Sequence, residues 1–460
     1  MAPGLLAAGE AASGVMFTSS LDQSMHPFTI SSPHNRANGH PSFVQTVNRW
    51  IRLPLVWLGL ALGSGLTASA SAEPQVELLP SGLEARQLAI VVNDEDDMSV
   101  RIGEYYRERR GIPPENVIHV RFPATSVNLP RDRFRPIREE VERQTPYYIQ
   151  AYALAWTKPY RVDCMSITSA MTLGFDAAYC SAERCGKTRP SGYYNSASAA
   201  PFSDYKLRPS MLLAGQTFPE VRRMIDRGVA SDRTYPAGTG YLLKTSDRSR
   251  SVRAVFFNDT ARVLGEAFRL ERLDTDYIKD KKDVLFYFTG LVKVPELRSL
   301  GFVPGAIADH LTSVGGMLSD SKQMSALRFL EAGATGSYGT VVEPCNLLAK
   351  FPHPGVAMLR YGGGNTLIEA YWKSVETPGE GVFIGEPLAR PFAPKLERVN
   401  GRQWALRLFA PVANAVRLEQ ADSGIGPYRT AAQYPVKPGL NDVSISLPAA
   451  EGYFRIVIPE

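Results

Sequence analysis

Short apolar runs alternate with helix-like segments along most of the chain. The first two runs, at 87–93 (QLAIVVN) and 117–122 (VIHVRF), flank a predicted helix at 99–110 that ends at Gly111. This spacing is typical of parallel strands joined by a crossover helix. The alternation continues to about residue 375 and predicts a mostly parallel α/β sheet of six or seven strands with helices on both faces.

The remaining predicted elements follow the same rhythm, with one long interruption. Residues 157–235 are rich in Ser, Ala, Gly and Tyr and contain one helix-like piece near 219–227. A stretch of this length without regular periodicity predicts an insertion that carries function. The other predicted strands are at 148–156, 240–245, 284–288, 306–312 and 336–342, and the other predicted helices are at 134–144, 261–273, 322–332 and 365–375.

The pattern of apolar and polar residues changes after residue 393. Alternating segments separated by Gly, Pro and Asn turns, such as 404–409 and 442–447, predict a small β-sandwich-like domain at 394–460. The expected organisation is therefore a lead and signal segment at 1–72, a linker at 73–86, an α/β domain at 87–393 that includes the insertion, and this β-rich end.

One apolar run differs from the strands in length and in its flanks. Residues 53–66 (LPLVWLGLALGSGL) follow Arg49 and Arg52 and precede Ala70-Ser71-Ala72. The run is shorter than the roughly 20 residues that span a bilayer, so it predicts a secretory signal peptide cleaved after Ala72, with no membrane span in the exported protein. An uncleaved anchor is the alternative. The residues before it are either a disordered lead or the product of a start assigned too early.

The charge balance argues against a nucleic-acid partner, and the cysteines suggest a disulfide. Lys and Arg number 51 against 46 Asp and Glu, a balance too even to indicate a nucleic-acid partner. Export would permit disulfides, and a local bridge among Cys164, Cys180 and Cys185 is expected, with buried free thiols as the alternative.

Candidate chemistry concentrates in three loops that follow predicted strands. The pocket-loop candidates are Thr289, Gly290, Gly315, Gly316 and Glu343. Loops at the carboxyl ends of parallel strands form the ligand crevice of such sheets. Gly315 and Gly316 would allow positive φ and an oxyanion-type pocket, although an ordinary strand-to-helix turn explains them equally well.

Two nucleophile and base pairs are available near these loops. Ser313 lies three residues after His310, and Cys345 lies eight residues before His353. Either pair could support nucleophilic catalysis if folding brought its members together, but strand alternation places the first pair on opposite faces, and Cys345 could equally be bridged. The third histidine beyond the signal, His119, lies within a strand and indicates a structural role.

Metal and cofactor motifs are missing from the sequence. It contains neither Cys-x-x-Cys nor His-Glu-x-x-His, and Gly362-Gly363-Gly364 lacks the Lys and Ser or Thr of a phosphate loop. The acidic run at 94–97 follows the first strand and suits a cation site, the cap of the next helix or plain solvation. We expect no metal and no cofactor.

Several long segments resemble an uncharacterised family of exported bacterial proteins. They include VVNDEDDMSVRIGEYYRERRGIPPENVIHV, ADHLTSVGG and MSALRFLEAGATGSYGTVVEPCNLLAKFPHP, and the resemblance covers roughly 87–393. That family occurs in genomes that carry exosortase, the enzyme that sorts proteins with a PEP C-terminal signal. The resemblance implies an envelope or extracellular-matrix context with an unknown partner, and no established reaction.

The strand order and the closing Gly385-Glu386-Pro387 more distantly resemble the caspase-like cysteine peptidases of the gingipain type. Their closing motif usually has Asp where this chain has Glu386. Their catalytic His-Gly and Cys follow successive central strands, where this chain has Thr289-Gly290 and Thr312-Ser313. The resemblance implies a caspase-like fold without the peptidase dyad.

The sequence thus favours an exported, non-peptidase accessory or binding factor. The alternative is a secreted hydrolase of cysteine or serine type with a rearranged site. A carbohydrate-binding module is a third hypothesis, based on the C-terminal domain and on Tyr193, Tyr194 and Tyr205.

Overall fold

The computed structural model describes residues 73–181, 185–319 and 321–458. The predicted signal peptide, its cleavage site after Ala72 and the lead before it lie outside these residues. None of the helices in the described ranges combines the length and the apolar character that a bilayer crossing requires.

The described residues form nineteen strands and nine α-helices. The strands are β1 (Gln75–Leu78), β2 (Leu88–Asn93), β3 (Val117–Val120), β4 (Ala151–Leu154), β5 (Arg161–Val162), β6 (Met165–Ser166), β7 (Ser210–Leu212), β8 (Thr239–Lys244), β9 (Arg269–Asp274), β10 (Val284–Thr289), β11 (Phe302–His310), β12 (Gly336–Thr340), β13 (Gly381–Gly385), β14 (Lys395–Arg398), β15 (Gln403–Ala410), β16 (Asn414–Ala421), β17 (Arg429–Val436), β18 (Gly439–Ser446) and β19 (Tyr453–Val457). The helices are α1 (Asp97–Arg110), α2 (Arg131–Gln144), α3 (Ile167–Leu173), α4 (Pro201–Tyr205), α5 (Phe218–Ser231), α6 (Phe257–Leu264), α7 (Leu327–Ala332), α8 (Pro354–Gly362) and α9 (Leu367–Ser374).

A ten-stranded sheet dominates the fold, in the order β3-β2-β4-β7-β13-β12-β11-β10-β8-β9. Every neighbouring pair is parallel except β12 and β13, where Tyr338 lies opposite Phe383. The sheet therefore consists of two parallel halves of five strands that run in opposite directions. The carboxyl ends of β8 to β12 lie at one edge, and those of β2, β3, β4, β7 and β13 lie at the other.

The predicted fold class is confirmed: the chain is mixed α/β, with a large, mostly parallel sheet and separate small antiparallel sheets. The sheet has more strands than the six or seven expected. β7 spans three residues and β13 reads GVFIG, so neither carries a periodic signal strong enough to predict a strand.

Burial explains why the central strands were readable from the sequence. All six positions of β2 (LAIVVN) and of β10 (VLFYFT) are buried, because helices cover both faces of the sheet. α1 begins at the Asp96 cap, whose side chain accepts from the backbone of Met98, and ends at Gly111 with φ 61°.

One predicted helix is wrong over its second half. The expected helix at 261–273 is helical only in α6, and β9 follows it. β9 reads RLERLD and pairs in parallel with β8 at the edge of the sheet, where its charged side chains reach solvent. Edge pairing has overridden a locally helix-compatible sequence.

Two small, mostly antiparallel sheets make up the C-terminal region. One has the order β1-β19-β16-β17 and the other β14-β15-β18. They enclose a small apolar core that includes Leu406, Val416, Ile445 and Phe454. β1 comes from the segment expected to be a linker, 73–86, and pairs in parallel with β19.

Candidate functional site

The three predicted pocket loops meet at one edge of the sheet. The backbone of Leu311 donates to the Thr289 carbonyl at 3.0 Å, and the Thr340 hydroxyl donates to the Ser313 carbonyl at 3.0 Å. β10, β11 and β12 are parallel, so their carboxyl ends coincide there. We refer to this region as the carboxyl edge.

The glycines at this edge serve close packing. Gly315 and Gly316 are not among the residues with positive φ, contrary to the expected reason for their presence. A Cβ on Gly316 would lie 2.4 Å from the Gly339 carbonyl oxygen, so the loop after β11 can cross β12 only without a side chain there. The Gly316 N–H donates to the Thr340 carbonyl at 2.9 Å. This N–H is therefore already engaged and is not free to donate to an oxyanion.

Gly290 and Glu343 are also engaged in packing and hydrogen bonds with nearby residues. A Cβ on Gly290 would lie 1.9 Å from the Arg250 carbonyl oxygen, and the Gly290 carbonyl accepts from the Thr245 hydroxyl. The Glu343 carboxylate accepts from the backbone N–H of Cys345 at 2.8 Å. The contacts of Gly290 join neighbouring loops, and the contact of Glu343 is local to the loop after β12.

His310 is buried and does not form a dyad with Ser313. Its side chain is on the face of β11 that packs against α7, with its ring centroid 5.4 Å from that of Phe329. Burial, reinforced by the charge of Arg253, lowers the pKa of His310 to about 3. Both ring nitrogens are without a side-chain hydrogen-bond partner in the described chain, and Ser313 is half-buried in the following loop.

The cysteine and histidine pair is not assembled either. Cys345 forms a disulfide with Cys185, and a second disulfide joins Cys164 to Cys180 within the insertion. His353 caps α8, where its Nδ1 accepts from the backbone of Val356 at 3.3 Å. Burial lowers the pKa of His353 as well. The sulfur of Cys345 is therefore committed to a bond, and His353 has a capping role.

A buried ion pair that the sequence analysis did not identify lies beneath this edge. Arg253 and Asp309 pair with side chains 2% and 1% exposed, and Arg253 also donates to the Thr289 carbonyl at 2.9 Å. The signal was present in the AIADH run of β11, because a carboxylate inside a buried strand requires a partner. The partner, however, comes from a turn more than fifty residues earlier, which no local pattern indicates.

A second polar network stiffens the loop after β11. The Thr312 hydroxyl donates to the Gln323 side chain at 2.6 Å, and the Val314 N–H donates to the same oxygen at 3.0 Å. Arg250 donates to the Thr312 hydroxyl at 3.0 Å. Gln323 thus joins the start and the end of the loop that covers His310.

Gln323 also lines an open cleft of about 850 Å³ between α5, α7 and the loops after β10 and β11. The cleft is large enough for a small organic ligand or a short peptide. The charged residues that line it are Glu220, Arg223, Lys293, Glu296, Arg298, Arg328 and Glu331. We refer to this cavity as the α5–α7 cleft.

The acidic run at 94–97 lies at the other end of the sheet. Asp94 lies 2.7 Å from the Nδ1 of the exposed His119, and Asp96 caps α1. In the portion of the chain that the structure describes, no group of three or more His, Cys, Asp or Glu side chains is arranged to hold a metal ion.

Comparison with solved structures gives distant matches, among them the following two. The chain is similar to the complex of Porphyromonas gingivalis RgpB pro- and mature domains, with a TM-score of 0.39 and 9% identity over 79% of this chain and 93% of that chain. It is also similar to a structure described as a protease, with a TM-score of 0.36 and 9% identity over 80% of this chain and 98% of that chain. No protein-family profile and no curated protein sequence matches the chain.

Proposed function

We propose that this chain is an exported, non-peptidase accessory or binding factor of the bacterial envelope, built on a caspase-like α/β framework. The exosortase-linked context in the proposal comes from the sequence resemblance. The ligand site in the proposal is the α5–α7 cleft, which opens beside the loop that covers His310.

The observation that carries the proposal is the disulfide between Cys185 and Cys345. A cysteine peptidase requires a thiolate within hydrogen-bonding reach of an imidazole. Here the Cys345 sulfur is bonded to another sulfur, and the ring of His310 is packed against Phe329. Neither group is placed to act as a thiolate or as a base in this arrangement, which favours binding over covalent catalysis.

The two disulfides support the part of the proposal that concerns export. Disulfides persist in oxidising compartments, and the two bridges are consistent with an exported protein. The insertion and the loop after β12 are tied together by the longer bridge, which spans 160 residues. By fixing the insertion to this loop, the bridge would keep the surface that they form in one shape outside the cytoplasm.

A hydrolase with Ser313 as nucleophile is the competing function. It is favoured by the position of Ser313 at the carboxyl edge, where the side chain is half-buried and therefore accessible in part. His310 would have to leave its packed position to act as the base.

Labelling with reactive probes tests the two functions against each other. The oxidised, full-length exported protein is treated with a fluorophosphonate and with an iodoacetamide probe and then mapped by mass spectrometry. We expect no stoichiometric adduct, and Ser313→Ala serves as the control for the serine-directed probe. A stoichiometric adduct on Ser313 or Cys345 that is lost on prior denaturation would overturn the proposal.

A further inference from the structure

Among the described residues that line the α5–α7 cleft, the cations outnumber the acids by one. Arg328 and Glu331 pair with each other, with contacts at 2.6 and 2.8 Å. The Glu220 carboxylate is engaged by the backbone N–H groups of Gln216 and Thr217 at the start of α5. The carboxylates of Glu331 and Glu220 are therefore already engaged by partners within the protein.

The remaining charged residues of the cleft are three cations and one acid. Arg223, Lys293, Arg298 and Glu296 all line the cleft, and in the described chain none of them has an ion-pair partner within the 4.0 Å limit of such pairs. They come from two separate elements, α5 and the loop after β10, which face each other across the opening. The unbalanced charge is therefore concentrated between the walls of the cleft.

Arg227 adds a fourth cation below Arg223. The two residues are four positions apart on α5 and so lie on one face, where like charges repel. The Arg227 guanidinium donates to the carbonyls of Leu330 and Ala334 at 2.8 and 2.9 Å, and its Nε is buried without a partner in the described residues. Burial, together with the charge of Arg223, lowers the pKa of Arg227 to about 10.

A half-buried guanidinium that is held only by carbonyl groups keeps its full charge. Arg223 and Arg227 both line a smaller recess that continues from the cleft toward Gly215. Guanidinium groups bind carboxylate and phosphate through paired, charge-assisted hydrogen bonds. An oxyanion in the cleft would pair with Arg223 in this way, while Arg227, whose Nε is buried, adds positive charge behind it.

From this arrangement we infer that the α5–α7 cleft binds a ligand that carries an oxyanion, a carboxylate or a phosphate group, with Arg223 as its direct contact. Lys293 and Arg298 supply attraction from the opposite wall. The inference deepens the proposed function, because it gives the chemistry of the ligand that the accessory factor would bind.

The chain offers a matched control in the neighbouring residue. Arg222 is on the other side of α5, where it stacks on the Tyr105 ring at 5.4 Å and faces Asp226 at 3.8 Å. Arg222→Gln and Arg223→Gln therefore remove the same charge from adjacent positions of one helix, and only the second change alters the cleft.

The experiment measures binding of small anions to the full-length exported protein by isothermal titration calorimetry at low ionic strength. The probes are inorganic pyrophosphate and citrate, with glucose as an uncharged comparison. We expect at least one anion to bind with a Kd below about 1 mM, and binding of one anion alone would identify the phosphate or the carboxylate as the group recognised. Arg223→Gln should weaken that binding about tenfold, the loss of one charge-assisted contact, whereas Arg222→Gln should change it less than about twofold.

Three results would overturn the inference: binding of neither anion, equal binding of glucose, or equal losses in the two variants. Far-ultraviolet circular dichroism of both variants confirms that each is folded. These results are independent of the probe labelling, so an absence of anion binding would refute the oxyanion site and leave the proposed non-peptidase function to its own test.

Discussion

Glu386 provides a quantitative test of how the closing Gly-Glu-Pro motif works. Its carboxylate is fully buried and accepts from the Tyr106 hydroxyl at 2.5 Å, from the Arg110 Nε at 3.0 Å and from the Leu388 backbone at 3.1 Å. Arg110, at the end of α1, is 8% exposed and also pairs with Asp232. The motif therefore ties α1 to the chain that follows β13.

The cost of Glu386→Ala can be estimated from these contacts. Breaking a buried ion pair by removing one partner costs about 3–5 kcal/mol, since the remaining charge stays buried. The unsatisfied Tyr106 hydroxyl adds about 1–3 kcal/mol. Asp232, which is 33% exposed, still offsets part of the Arg110 charge, so we expect a net loss of about 4 kcal/mol in the free energy of unfolding.

Two further variants separate the charge from the packing. Glu386→Asp keeps the carboxylate but shortens the side chain by one methylene, and it should cost about 1–2 kcal/mol because all the donors can no longer be reached at once. Asp442→Ala removes one side of the exposed Arg407 pair and should cost less than about 1 kcal/mol.

Urea denaturation followed by tryptophan fluorescence measures these differences through the midpoint and the m-value. The reasoning would be refuted if Glu386→Ala were within about 1 kcal/mol of the wild type with an unchanged m-value, or if Asp442→Ala cost as much.

The remaining predictions concern His310 and the disulfides. Because the folded pKa of His310, about 3, is below its unfolded value of 6.5, the unfolded state binds a proton first, and stability falls as the pH falls below about 6.5. Relative to His310→Leu, the wild type should lose about 2 kcal/mol between pH 7 and pH 5, as measured by urea denaturation at each pH. Alkylation of the denatured, unreduced protein should modify none of the four cysteines, and Cys345→Ser should make Cys185 alkylatable and lower stability by about 2–5 kcal/mol.

Each of these predictions has its own control. For the first, an acid sensitivity of His310→Leu equal to that of the wild type would contradict the assignment to His310. Alkylation of Cys164 or Cys180 in Cys345→Ser would show that the two bridges are exchanged rather than independent.

The sequence identified the individual strands better than their arrangement. β2, β10 and the last six residues of β11 are buried on both faces and so appear as apolar runs, which hydrophobic periodicity detects. β9 was mistaken for a helix because an edge strand keeps charged side chains exposed. The reversal between β12 and β13 left no mark in the pattern, since a buried strand has the same composition in either direction.

The candidate site, too, could be predicted from the sequence only in part. The sequence indicated that the loops around Thr289, Ser313 and Glu343 lie near one another, because parallel strands bring their carboxyl ends to one edge. It could not indicate that Cys345 pairs with Cys185, which is 160 residues away. Nor could it indicate that Arg253 neutralises Asp309.

The sequence by itself determined the fold class, the mostly parallel sheet and the supply of reactive groups, because burial and turn preferences act over a few neighbouring residues. Only the tertiary structure decided what those groups can do. It bonded the Cys345 sulfur, packed His310 where its charged form is costly, and left Arg223, among the described residues, without an ion-pair partner at the wall of the α5–α7 cleft. Each of these outcomes depends on which distant residue lies within a few ångströms, and that is set by the packing of the whole chain.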